Sequence, residues 1–117
     1  MAEYTGTFTV QNNTGGQISH VAVSHYTTDW PASTISAGKL ANNGILGGGI
    51  VDTSTTNTDK WSVSFINADN QLLTGQKNCG FESEDNGGIV NVVLNPGDFD
   101  INMPKSSSCD GTDYNEV

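Results

Sequence analysis

The chain is predicted to be all-β, an antiparallel two-sheet β-sandwich of about eight strands. Three observations carry that prediction. The first is period-two alternation: Trp61, Val63 and Phe65 alternate with Ser62 and Ser64, and Phe99, Ile101 and Met103 alternate with Asp98, Asp100 and Asn102. Such a pattern sets one face of a strand on a core and the other in water. The second is the recurrence of turn residues at spacings of about 8–12 residues, with no helix-length periodicity between them. The third is composition. Hydrophobic residues are 34%, charged residues only 15%, and there are 14 glycines. Solubility therefore rests on Ser, Thr, Asn and Gly, which suits many strands and turns and few helices.

Tyr4 to Gln11 places Tyr4, Gly6, Phe8 and Val10 on one face and three threonines on the other. Asn12 to Gly16 (NNTGG) is a turn. Gln17 to Tyr26 is the returning strand, but its phase slips: Ile18 is even, Val21 and Val23 are odd. A bulge at Ser19-His20 accounts for that. Tyr26 to Ala32 (YTTDWPA) is a loop, and Thr34 to Ser36 a short strand ended by Ala37-Gly38. In Asn42 to Ile50 (NNGILGGGI) a turn leads into a strand that is either flexible or tightly packed. Asp52 to Asp59 is a polar connection. Lys60 to Ala68 (KWSVSFINA) is a strand, Asp69-Asn70 turns into Gln71 to Gln76, and Asn78 to Glu82 pairs back. Glu82 to Gly88 is an exposed turn. Ile89 to Leu94 is apolar on both phases except at Asn91, as in a central strand. Asn95-Pro96-Gly97 then closes a hairpin with Asp98 to Met103. Residues 105–117 lose all periodicity and read as a loose tail. The whole of 1–117 is one domain, with no internal repeat, and Phe8, Trp61, Phe65, Val93 and Phe99 are its expected core.

Thirteen acidic residues against four basic ones leave a net charge of -9. The basic residues are Lys39, Lys60, Lys77 and Lys105, with no arginine. Nucleic acid is thereby excluded as a partner, since phosphate neutralisation needs Lys and Arg, and so is electrostatic attraction to anionic lipid. No apolar run approaches a membrane span, so an integral membrane protein is not expected. Nothing at the N-terminus resembles a signal peptide, which leaves a secreted mature form and a cytoplasmic protein both open. Cys79 and Cys109 fit no metal motif. Paired in an oxidising compartment, they would stabilise the chain by about 3–4 kcal/mol; reduced, they are a buried thiol and a thiol in the tail. Asn12-Asn13-Thr14 is a glycosylation sequon in a turn, used if the chain follows a secretory route.

No catalytic constellation is visible, and neither enzyme activity nor a metal or cofactor is expected. His20 and His25 are five apart, which sets them on opposite faces of a regular strand, and they read as surface or packing residues. Gly44 to Gly49 lacks the Lys-Ser/Thr and the following helix of a phosphate loop. Asp52 with Asp59, and Glu82 with Glu84 and Asp85, offer hard oxygens but match no calcium loop, so they read as solvated turns. Asp98 and Asp100 lie on a polar strand face as solubilising charge. One grouping is set apart as a candidate binding site: Tyr26, Asp29 and Trp30, which could stack on a sugar ring or insert among lipid headgroups. The structural alternative is a Trp30 folded back over the end of the sandwich.

The run Trp61-Ser62-Val63-Ser64-Phe65, followed by Cys79 and by Val90 to Pro104 with Ser106-Ser107-Ser108 behind it, resembles a family of small acidic β-sandwich proteins. These are the fungal immunomodulatory proteins of polypore mushrooms and the related nematode domain up-regulated in long-lived mutants; at fold level the chain is similar to the aegerolysins. The resemblance spans Tyr4 to Ser108 and is strongest from Lys60 onward. It implies a two-sheet sandwich, a homodimer, no catalytic residues, and action on immune cells through recognition of a surface receptor. The chain has only two tryptophans, few beside the aerolysin-like sphingolipid binders of that fold. A non-enzymatic interaction protein of the fungal immunomodulatory type is therefore expected. The alternative is a lectin-like or aegerolysin-like module that binds glycan or lipid through Tyr26, Asp29 and Trp30.

Overall fold

The computed structural model describes residues 3–116. Among these lie β1 (Tyr4–Asn12), β2 (Ile18–Tyr26), β3 (Ser33–Leu40), β4 (Ile45–Thr53), β5 (Lys60–Ile66) and β6 (Leu72–Asn78). A single 3-10 turn (Ser83–Asp85) precedes β7 (Ile89–Leu94), β8 (Asp98–Asn102), β9 (Cys109–Asp113) and β10 (Asn115–Glu116). They form a sandwich of two five-stranded sheets, in the orders β4-β1-β7-β8-β9 and β10-β6-β5-β2-β3. Two strands come from the segment expected to be loose, while Asn78 to Glu82 does not pair back. One pairing also departs from the antiparallel expectation: β1 and β7 run parallel, with Phe8 beside Val90 and Val10 beside Val92.

Alternation builds the core as expected. Phe8, Val10, Val90, Val92, Leu94, Phe99 and Ile101 from the first sheet meet Val21, Val23, Trp61, Val63 and Phe65 from the second, all buried. Val93 is the exception to the expected core; it lies on the outer phase of β7, between buried Val92 and Leu94. The edge of Phe8 meets the face of Trp61 with centroids 5.5 Å apart, an arrangement the ring quadrupoles favour. Room for the large rings is made by glycine. A Cβ at Gly49 would overlap the Phe8 ring, and one at Gly75 the Phe99 ring facing it from the other sheet. The glycine-rich stretch of β4 is thus tightly packed, with Gly48 (φ +98°) at a bulge where the β1–β4 register shifts. The bulge expected in β2 is present as well. His20 has φ 50°, and the β2–β5 register shifts between Ser19 and Ala22.

The tail is held where no periodicity announced it, because three separate contacts fix it. Cys79, just after β6, is joined to Cys109 of β9 by a disulfide, so the two sheets are covalently linked. Asp85 is buried and accepts hydrogen bonds from Lys105 N and Ser106 N at 2.9 Å each, from Ser106 Oγ, and from Glu82 N at 2.9 Å. Tyr114 then packs on Phe65 and Phe99 and donates its hydroxyl to Asn95 O at 2.9 Å. Burial, with the Asp98 carboxylate beside it, pushes the Tyr114 phenol well above its ordinary pKa, so it stays a donor. Burial alone would raise the Asp85 carboxyl. The hydrogen bonds from Ser106, Glu82 and Lys105 outweigh that and hold its pKa below the usual carboxylate value.

Two outcomes are expected. A folded-state pKa that is depressed contributes stability above the unfolded value, near pH 3.9, and that contribution is lost as pH falls through the folded value. Asp85→Asn should therefore lose about 2–3 kcal/mol at neutral pH and show a shallower fall in stability at low pH, read by urea unfolding across pH 2–7. Gly75→Ala should lose about 1–3 kcal/mol by overpacking against Phe99. Gly38→Ala, with open space around it, should stay within about 0.5 kcal/mol of wild type.

Candidate functional site

The same alternation that aims Trp61, Val63 and Phe65 inward aims Lys60, Ser62 and Ser64 at the outer face of the second sheet. Strand register then assembles rows across that face. Tyr26, Lys60 and Asn78 form one row; Ser24, Ser62 and Gln76 the next; Ala22, Ser64 and Thr74 a third. On β3, Thr34 joins the second row, its hydroxyl 2.6 Å from that of Ser24. Because the central side chains are small, the face is hollow between its larger rims. One groove of about 370 Å³ runs over Ser24, Ser62, Ser64 and Thr74, with Tyr26 and Gln76 along it. A second, of about 520 Å³, is lined by Lys60, Gln76, Lys77 and Asn78, and Gln76 is common to both.

Tyr26 is the aromatic member of this face. Its ring is half-buried with Lys60 Nζ 5.9 Å from the centroid, and its hydroxyl accepts a hydrogen bond from Gln76 Nε2. The three residues singled out from sequence are not brought together here: Asp29 and Trp30 line neither groove. Asp29 is exposed and clamps its loop to the next one, accepting from Asn57 Nδ2 at 2.9 Å. Trp30 is half-buried in that loop, its backbone N–H donating to Thr27 Oγ1 at 3.1 Å. Lys60, Gln76 and the serines were missed. Their signal was the outward phase of the KWSVSF run, a lysine followed by small hydroxyls, which reads as ordinary solvent exposure until neighbouring strands are set beside it.

The other candidates resolve into packing. His20 is exposed on its bulge, while His25 is buried with its Nε2 2.8 Å from Asp59 Oδ1. The His25 ring lies 4.6 Å from that of Trp61, and Asp59 Oδ2 accepts Phe81 N at 2.8 Å. The pair is sealed from solvent, and the His25 ring makes no other hydrogen bond among the described residues. Both oxygens of Asp59 and of Asp85 are thus engaged by protein donors, contrary to their expected place in solvated turns. Asp98 and Asp100 are bridged by Asn95 Nδ2 at 3.0 Å to each, bracing the hairpin turn. Asn12, the sequon residue, is fully buried and donates to Gly16 O, Leu40 O and Ala41 O at 2.8–3.1 Å. An amide so engaged cannot carry a glycan in the folded protein.

Among the described residues no helix is long and apolar enough to cross a membrane. Comparison of the chain with models of protein families and with curated proteins returned no match.

Proposed function

We propose that this is a non-enzymatic recognition protein that binds carbohydrate on cell surfaces through the outer face of its second sheet. The observation that carries the reading is Tyr26: an aromatic ring set on a hydroxyl- and amide-lined groove. A sugar ring offers an apolar C–H face and polar edges. An amphipathic aromatic beside several fixed donors and acceptors complements both. The resemblance to fungal immunomodulatory proteins supports the same reading at the level of the cell, where the target is a surface receptor on immune cells. The Cys79–Cys109 disulfide supports an oxidising, extracellular setting. A lipid target has less support, because the grooves are lined mainly by polar side chains.

The homodimer implied by that resemblance is best placed on the opposite side of the molecule. Ile45, Ile50 and Ile89 are exposed on the outer face of the first sheet, with Thr7 in register between Ile50 and Ile89. The outward residues of β1 and β7 there are Thr5, Thr7, Thr9, Gln11, Asn91 and Val93, none of them charged. Two copies that each carry a net charge of -9 can meet on such a face without opposing carboxylates.

On a glycan array and on macrophages, wild-type protein is expected to bind, and Tyr26→Ala to lose about tenfold or more in affinity while keeping its fold. Unaltered binding by that variant would reject the site. Sedimentation at micromolar concentration should give a dimer, and Ile50→Glu with Ile89→Glu should give a monomer; a monomeric wild type would remove the dimer.

A further inference from the structure

Half of the lysines in this chain converge on one groove. Lys60 and Lys77 line it together with Gln76 and Asn78, and no carboxylate lines it or the neighbouring hydroxyl groove. In a chain with 13 acidic and 4 basic residues, a site with two cations and no anion runs against the charge of the whole molecule. Two lysines side by side repel one another, and no acidic partner in the groove relieves them. An anion between them would. Lys60 is moreover held rather than free, its Nζ over the Tyr26 ring at 5.9 Å.

From this, and resting on the carbohydrate reading above, we infer that the face takes an acidic oligosaccharide, with a carboxylate or sulfate seated between Lys60 and Lys77. The remainder of the chain of sugars lies along the groove of Ser24, Ser62, Ser64 and Thr74. The geometry suits that arrangement. Gln76 belongs to both grooves, so they are continuous. From Lys60 to Ser64 the strand advances four residues, about 13 Å at its ordinary rise, the reach of a short oligosaccharide. The net negative charge then acts as a filter: it repels polyanions over most of the surface, so an acidic sugar is bound where the lysines are and not elsewhere. Selectivity lies in the lysine pair, and affinity for the neutral sugars lies in Tyr26 and the hydroxyls.

The test is titration calorimetry of the full chain with three probes: a hyaluronan oligosaccharide for carboxylate, a chondroitin sulfate oligosaccharide for sulfate, and a neutral chitin oligosaccharide. At least one acidic probe should bind about tenfold tighter than the neutral one, with the preference shrinking as salt is raised. The double variant Lys60→Gln, Lys77→Gln should lose that preference and bind the neutral probe as wild type does. Lys39→Gln, whose lysine is exposed on β3 outside both grooves, should keep it. Which acidic probe binds separates carboxylate from sulfate. Equal binding of acidic and neutral probes by wild type, or a preference that survives the double substitution, overturns the lysine site and leaves Tyr26-dependent carbohydrate binding standing. No binding of any probe overturns both. Circular dichroism and thermal melts of each variant confirm that the sandwich is intact.

Discussion

A fully buried indole has one polar atom, and the interior of this sandwich is arranged so that the Trp61 N–H is not orphaned. It donates to Cys79 O at 2.9 Å, and Cys79 N in turn donates to Asp59 O at 3.1 Å. Asp59 receives His25 and Phe81 N on its carboxylate, and His25 lies back against the Trp61 ring. Phe8 closes the other side from the opposite sheet. Burying so large a ring is strongly favourable, and an unpaired N–H in the same place would offset much of that gain. One ring therefore dictates the path of β5, the segment after β6, and the loop that enters β5.

The covalent link extends from the same point. Cys79 supplies the carbonyl for Trp61 and the sulfur for Cys109, so the hydrogen-bonded centre and the crosslink to β9 share a residue. Asp85 fixes the chain again five residues after the end of the tail's preceding strand, through Lys105 and Ser106. Together these explain how a segment without hydrophobic periodicity still adds a strand to each sheet. Its order comes from polar and covalent anchors rather than from an apolar stripe.

The rigid interior has a consequence outside. Strands β2, β5 and β6 cannot change register without exposing Trp61, Val63 and Phe65, since a slip of one residue would turn every side chain over. The outer rows of Tyr26 with Lys60, and of Ser24 with Ser62 and Gln76, are fixed by the same constraint. Asp59 and Asp85 are turned inward, and Asp98 and Asp100 lie on the other sheet. What remains on the outer face of the second sheet is hydroxyl, amide, lysine and one tyrosine, a polar surface that is pre-formed rather than assembled on binding.

Local alternation was enough to read the sandwich, the inward phase of Trp61, Val63 and Phe65, the Asn95-Pro96-Gly97 hairpin and the bulge beside His20, because each depends on neighbours a few residues apart. It misassigned Val93, where apolar residues on both phases hide which one faces in. The parallel β1–β7 pair, the fastening of the tail by Asp85, the sealing of His25 against Asp59 and the convergence of Lys60 with Lys77 all join residues distant in sequence or side by side only across a ladder. Nothing in the chain's own periodicity encodes them. The sequence by itself determined which side of each strand is apolar, since that follows from a two-residue repeat; only the tertiary structure decided which strands stand next to one another, because partner choice is a competition among whole packings of the core, and with it which polar side chains share a surface.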